Sequence, residues 1–120
     1  MSGKDIGPLE RLINATRYSL QGLRYAWATE PAFRYEIYVL AIALPVAWLV
    51  GKSAVERALL IGSVLLVVVV ELVNSAIEAT VNRIGRERHE LSGRAKDLGS
   101  AAVFVAIVLA GAVWSTLLLG

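Results

Sequence analysis

Apolar positions along this chain come in two patterns, one periodic and one continuous. From Pro8 to Thr29 they fall at helical intervals: Leu9, Leu12, Ile13, Leu20, Leu23 and Trp27. At about 100° per residue these six form one narrow stripe, and Glu10, Arg11, Asn14, Arg17, Gln21 and Arg24 occupy the other side. Pro8 suits a first helical turn, and Pro31 ends or redirects the segment. The pattern predicts an amphipathic surface helix over 8–29 lying in the plane of a membrane interface, with an ordinary packed surface helix as the alternative. Three continuous apolar runs follow, over 33–50, 58–81 and 98–119. The first is near the short limit of ~17 residues for a spanning helix, and Pro45 inside it predicts a kink that neighbouring helices can tolerate.

Between these runs, Gly51 to Arg57 reads as a short polar turn, and 82–97 reads as a charged loop holding Arg83, Arg86, Glu87, Arg88, His89, Glu90, Arg94 and Lys96. The third run carries no charge, and Ala102, Ala106 and Ala110 at four-residue spacing would permit close helix contact in lipid. The expected fold is therefore all-α, a single membrane domain over 1–120 with one surface helix and three transmembrane helices.

Composition agrees: hydrophobic residues make up 57% of the 120, against about 45–50% in ordinary soluble domains. There is no cysteine, which excludes disulfides, thiolate metal sites and a thiol nucleophile. The first long apolar run begins only after Glu36, so nothing reads as a cleavable signal and the spans are expected in the mature protein. A net charge of +2 is modest, and no nucleic-acid partner is expected. How that charge is distributed says more. Lys4, Arg11, Arg17, Arg24 and Arg34 precede or open the first run and five further basic residues lie in 82–97, whereas the 51–57 turn has only Lys52 and Arg57. The positive-inside rule puts the N-terminus and the 82–97 segment in the cytoplasm and the C-terminus in the periplasm.

Chemistry enters with Glu71, a carboxylate inside the second apolar run. At bilayer depth such a group costs roughly 2.5–3.5 kcal/mol on insertion scales, so it needs a partner or a use. Asn74, Ser75 and Glu78 follow at i+3, i+4 and i+7, on the same helical face. The two carboxylates would stand about 10 Å apart along the axis. Two carboxylates beside an amide suit a hard divalent cation that shares its site with phosphate oxygens. Arg94 and Lys96 could counter phosphate charge, and a helix N-terminus near Asp97 to Ser100 would add anion-binding N–H groups. These are parts for phosphoryl transfer, although no G-x-x-x-x-G-K-[ST] loop and no protein-kinase signature set is present. Interhelical glue, or a proton or ion path, would account for the same stripe. His89 is equally a solvated loop residue, and Tyr18, Tyr25, Trp27 and Tyr35 equally interface anchors.

The run Glu71-Leu-Val-Asn-Ser-Ala-Ile-Glu78, followed by His89-Glu-Leu-Ser-Gly-Arg-Ala-Lys-Asp97, closely resembles the prokaryotic integral-membrane diacylglycerol kinase family, whose signature is E-x-x-N-[ST]-A-I-E and then a loop ending in A-K-D. The likeness continues upstream through Gly22-Leu-Arg-Tyr-Ala-Trp27 and Glu30-Pro-Ala-Phe-Arg-Tyr-Glu36 and covers nearly the whole chain. The resemblance implies a homotrimeric bundle in the bacterial inner membrane, with active sites shared between subunits. It would use MgATP to phosphorylate diacylglycerol to phosphatidic acid and so recycle diacylglycerol into phospholipid synthesis. By position, Glu71 would be the general base, and Glu30 and Glu78 the Mg²⁺ carboxylates supported by Asn74. Arg11, Tyr18, Glu87, Arg88, His89, Lys96 and Asp97 would complete the ATP site, and Arg11, Glu36, Glu71 and Ser100 would touch the lipid. Asn82 and Arg88 depart from the family pattern, which often has an Asp and an aromatic there. Undecaprenol kinase is the alternative within the family, and a non-enzymatic membrane scaffold or a small ion-conducting oligomer is the alternative outside it.

The orientation is directly testable because the chain lacks native cysteine. In an Arg88→Cys variant, a membrane-impermeant thiol reagent should label the protein only after cells are opened. Labelling of intact cells would overturn the assignment.

Overall fold

The structure is a computed structural model that describes residues 6–85 and 90–120. Four helices make up the described residues: α1 (Pro8–Thr29), α2 (Pro31–Val50), α3 (Ala54–Ile84) and α4 (Glu90–Leu119). The last three are long and apolar enough to cross a membrane.

The junction between α1 and α2 is a single residue. Glu30 has an extended backbone, φ −117° and ψ 98°, because the ring of Pro31 crowds the residue before it out of the helical region. Its N–H still closes the last turn of α1 on the Ala26 carbonyl at 2.9 Å. Pro31 then starts α2, where its missing N–H costs nothing. The corner is held by the Trp27 ring, edge-on to Tyr38 at 5.8 Å between centroids, and by a small cluster of Ala26, Phe33 and Val68 with Ile37, Leu40 and Leu72 around it. The α2 helix runs on through Pro45 to Val50.

Small side chains bring α2 against α3: Ala43 and the fully buried Ala47 lie one turn apart on the packed side. The turn that follows is shorter than the expected 51–57, because Ser53 caps α3. Ser53 Oγ accepts from the Glu56 N–H at 3.1 Å and Glu56 Oε1 accepts from the Lys52 N–H at 3.2 Å, an arrangement close to a capping box. Gly51 is required here, since a Cβ would press on Arg57 Cγ and on the Ala47 carbonyl oxygen. Arg57 folds back to donate from Nε to the Trp48 carbonyl at 3.1 Å and places its guanidinium 4.6 Å from the Trp48 ring centroid.

At the other end the structure corrects the expected loop. Helix α3 continues to Ile84 and α4 begins at Glu90, so 90–97 is helical. Hydropathy marks where a helix leaves lipid, which is not where it stops being a helix. The stretch Glu90 to Asp97 is polar but rich in helix-formers, and Arg94 Nη2 pairs with Glu90 Oε1 one turn away at 2.9 Å. The backbone N–H groups of Asp97 to Ser100 accordingly lie inside α4 and form no anion-binding terminus. The 31 residues of α3 span about 46 Å, more than the ~30 Å of a hydrocarbon core.

On α4 the buried and half-buried positions run along Ala95, Gly99, Val103, Ala106, Ala110 and Trp114, while Ala102 is exposed in a groove it lines with Leu66 and Val70 of α3. Two of the expected small positions, Ala106 and Ala110, are thus on the contact side, and Gly99 and Ala95 extend the row towards the polar end. Near the far end Leu60 is fully buried, and its carbonyl accepts from Ser63 Oγ at 2.9 Å and from Trp114 Nε1 at 3.1 Å. Outward-facing residues elsewhere are apolar, among them Leu49, Val55, Phe104 and Leu119, as lipid contact demands. On α1 only Ala26 is buried; Leu9 is 71% exposed, and Leu12 and Ile13 are exposed beside it.

The indole hydrogen bond ties α4 to α3 across 54 residues of chain. Replacing Trp114 by Phe should therefore cost about 0.5–1.5 kcal/mol, read as faster thermal inactivation in detergent. An unchanged inactivation rate would show that packing alone holds α4.

Candidate active site

The polar stripe of α3 faces inward. Glu71 is 6% exposed and Asn74 7% exposed, deep inside a helix whose other buried residues are almost all apolar. Ser75 and Glu78 are half-buried. The 3-4-7 spacing does put these groups along one side, and the neighbouring helices divide them. Asn74 faces α4 at Gly99, whereas Ser75 lines a groove of about 450 Å³ against α1, together with Ser19, Gly22, Leu23, Tyr25, Ala26, Leu72, Ala76 and Ala79. That groove is apolar apart from its hydroxyls and follows α3 past Leu72 and Ser75, one and four residues after Glu71.

Asn74 Nδ2 donates to Glu78 Oε1 at 2.9 Å, which fixes the amide orientation and holds one carboxylate oxygen. Its Oδ1 is buried and has no hydrogen-bond partner among the described residues. Around Glu71 the helix corner collects further carboxylates: Glu30, Glu78 and Glu36 are all within electrostatic reach of it. Glu36 is half-buried on α2, and its Oε2 likewise lacks a partner. The single-residue corner at Glu30 is what delivers that carboxylate from the sequence-distant α1–α2 junction to the α3 stripe. Sequence spacing alone could not single it out.

One chain therefore brings together Glu30, Glu36, Glu71, Asn74 and Glu78. Arg11 and Tyr18 on α1 and Lys96, Asp97 and Ser100 on α4 are exposed. Among the described residues no hydrogen bond or ion pair joins them to the stripe. Glu87, Arg88 and His89 lie outside the described residues. Also among the described residues, no group of three or more His, Asp or Glu side chains converges tightly enough to enclose a metal ion. The donors present are hard oxygens only, and Mg²⁺ needs just one or two protein carboxylates when waters and phosphate oxygens fill its other positions. The set fits such a partial site and not a closed protein cage. Gly99, which sequence reading passed over, proves to be the backbone against which Asn74 rests. Its one signal was a glycine inside a helical stretch, where glycine is costly.

Fold and site define a small multi-span membrane protein with a buried carboxylate–amide cluster on α3 and an apolar groove between α1 and α3. The sequence profile of the prokaryotic diacylglycerol kinases matches residues 17–118. The chain is 54% identical over 110 residues to a diacylglycerol kinase of Haemophilus influenzae, covering 92% of this chain and 93% of that protein. It is 55% identical over 108 residues to that of Escherichia coli K12, covering 90% and 88%. With that of Pseudomonas aeruginosa it shares 52% over 112 residues, covering 93% and 91%. The chain belongs to the prokaryotic diacylglycerol kinase family, and it is an enzyme of that family.

Proposed function

We propose that the chain, a multi-pass protein of the bacterial inner membrane, uses the α3 stripe to transfer the γ-phosphoryl group of ATP to the primary hydroxyl of diacylglycerol, giving phosphatidic acid and ADP. The observation that carries this reading is the burial of Glu71 on α3, whose next residues Leu72 and Ser75 line an apolar groove, in a chain of the prokaryotic diacylglycerol kinase family. A lipid seated with its acyl chains along α1 and α3 would present its hydroxyl end to Glu71. Glu71 accepts the hydroxyl proton as the oxygen attacks phosphorus, a role worth roughly 10²–10⁴-fold in rate.

Glu78, held by Asn74, and Glu30 at the helix corner are the residues that would hold Mg²⁺. A bound Mg²⁺ supplies charge neutralisation on the phosphate oxygens. Lys96 and Asp97, with Arg11, Tyr18 and 87–89, serve the nucleotide, and Arg11, Glu36 and Ser100 serve the lipid. Because Arg11, Tyr18, Lys96, Asp97 and Ser100 are exposed and, among the described residues, make no hydrogen bond or ion pair to the stripe of their own chain, a homotrimer with sites shared between subunits would account for their use. The exposed leucines of α1 and the arginines around them suit a helix lying on the cytoplasmic interface.

The test is γ-phosphate transfer from radiolabelled MgATP in mixed micelles, with diacylglycerol and undecaprenol offered side by side. Label should appear in phosphatidic acid, and Glu71→Gln should remove at least ~10²-fold of it while assembly is retained. Label mainly in the polyprenol would change the acceptor, and label in neither lipid from folded protein would leave a scaffold or channel. Glu78→Gln should raise the Mg²⁺ concentration needed for half-maximal rate; an unchanged Mg²⁺ titration would count against its role as a ligand.

A further inference from the structure

Helix α4 contains three glycines, Gly93, Gly99 and Gly111. A Cβ added at Gly93 or Gly111 would meet nothing within 4 Å. At Gly99, which is buried, it would overlap Asn74 Oδ1 and lie 3.3 Å from Asn74 Cγ, with Ile77 Cδ1 next at an ordinary 3.8 Å. The crowding is therefore specific. Were Gly99 needed only for close helix approach, the added atom would press on the α3 backbone or on several side chains. Instead the two nearest atoms both belong to one amide.

That amide has no slack. Its Nδ2 is spent on Glu78 Oε1 at 2.9 Å, and its buried Oδ1 has no donor. One end is thus set by a carboxylate and the other by bare α4 backbone. The terminal torsion of an Asn is soft, but the amide is planar, so a turn that lifts Oδ1 off Gly99 also swings Nδ2 away from Glu78 Oε1. We infer that Gly99 is a positioning residue for the carboxylate of Glu78, acting through Asn74. The missing Cβ on α4 is what lets the α3 amide hold that carboxylate in place. The inference rests on the metal role proposed above for Glu78, but its packing step stands apart from that role.

The experiment compares Gly99→Ala with Gly111→Ala on the same helix, each also built on Asn74→Ala. Gly99→Ala should raise the Mg²⁺ concentration for half-maximal phosphoryl transfer about 10- to 100-fold, the range typical when a group orienting a metal ligand is lost. Gly111→Ala should leave it unchanged. The thermal midpoint should fall in Gly99→Ala but not when the same change is made on Asn74→Ala, where the clashing amide is gone. An unchanged Mg²⁺ requirement, or an equal loss of midpoint in both backgrounds, would overturn the inference. If Gly99→Ala fails to fold, the double variant must still fold as well as Asn74→Ala, and its failure would overturn the inference too. A wild-type chain that transfers no phosphate to lipid would sink the kinase reading alone, and the midpoint cycle would still decide whether Gly99 seats Asn74.

Discussion

The constraint on which the rest of this structure depends is that α3 carries two carboxylates and an amide through a helix otherwise built for lipid. Hydrocarbon offers such groups no hydrogen bonds, so each must be covered or paired by protein. The surroundings follow from this. Pro31 turns the chain in one residue and sets α2 close beside α3. Ala43 and Ala47 are buried small residues on α2, and Gly99 leaves room on α4 for the Asn74 amide. Asn74 spans the gap, spending its donor on Glu78 and pressing its acceptor against α4. Little driving force for helix association is available from apolar burial in lipid. Close packing and these few polar bonds must hold the bundle together.

The two ends of the bundle solve that problem differently. At the turn between α2 and α3 the polar groups find partners within the chain: Ser53 caps, Glu56 accepts from Lys52, Arg57 covers Trp48, and the Leu60 carbonyl receives Ser63 and Trp114. At the site end buried acceptors are left over, Asn74 Oδ1 and Glu36 Oε2, and they lie around Glu71. Buried acceptors without donors are costly where nothing ever fills them. Their concentration at one end marks where the fold gives up stability for chemistry. On the function proposed above, the end around the α2–α3 turn would anchor the helices while the end around Glu71 receives substrate.

Much of this was legible in the chain. The apolar runs gave the spans, and Glu71, Asn74, Ser75 and Glu78 read as one face because helical periodicity is set by backbone geometry alone. What was illegible has physical reasons. The charge of 82–97 reads as a loop, yet Glu90 to Asp97 are helical, with Arg94 and Glu90 paired one turn apart. Polar residues end a span without ending the hydrogen-bond ladder. Ser53 and Glu56 were a readable capping pair that a hydropathy boundary overran. Glu36 and Glu30 approach Glu71 only through the corner at Pro31, a three-dimensional relation that no spacing within α3 encodes. Gly99 carries meaning only once Asn74 is seen against it.

The same geometry explains why a chain of 120 residues can serve such a reaction without a phosphate-binding loop. A loop cradles phosphate with backbone N–H groups, but in α4 those of Asp97 to Ser100 are committed to the helix. Side chains on helices must do the positioning, and a helix shows only one face to each neighbour. On α4 the face bearing Gly99 is used to seat Asn74, which leaves Lys96, Asp97 and Ser100 turned outward. On α1 the exposed Arg11 and Tyr18 are in the same position. The polar stretch Glu90 to Asp97 lies past the apolar run of α4, so exposed charge there is tolerated and stays available to a further molecule. In the proposed trimer these exposed groups would meet the stripe of a neighbouring subunit, which would account for a carboxylate cluster gathered within one chain while its remaining expected site residues stand apart from it.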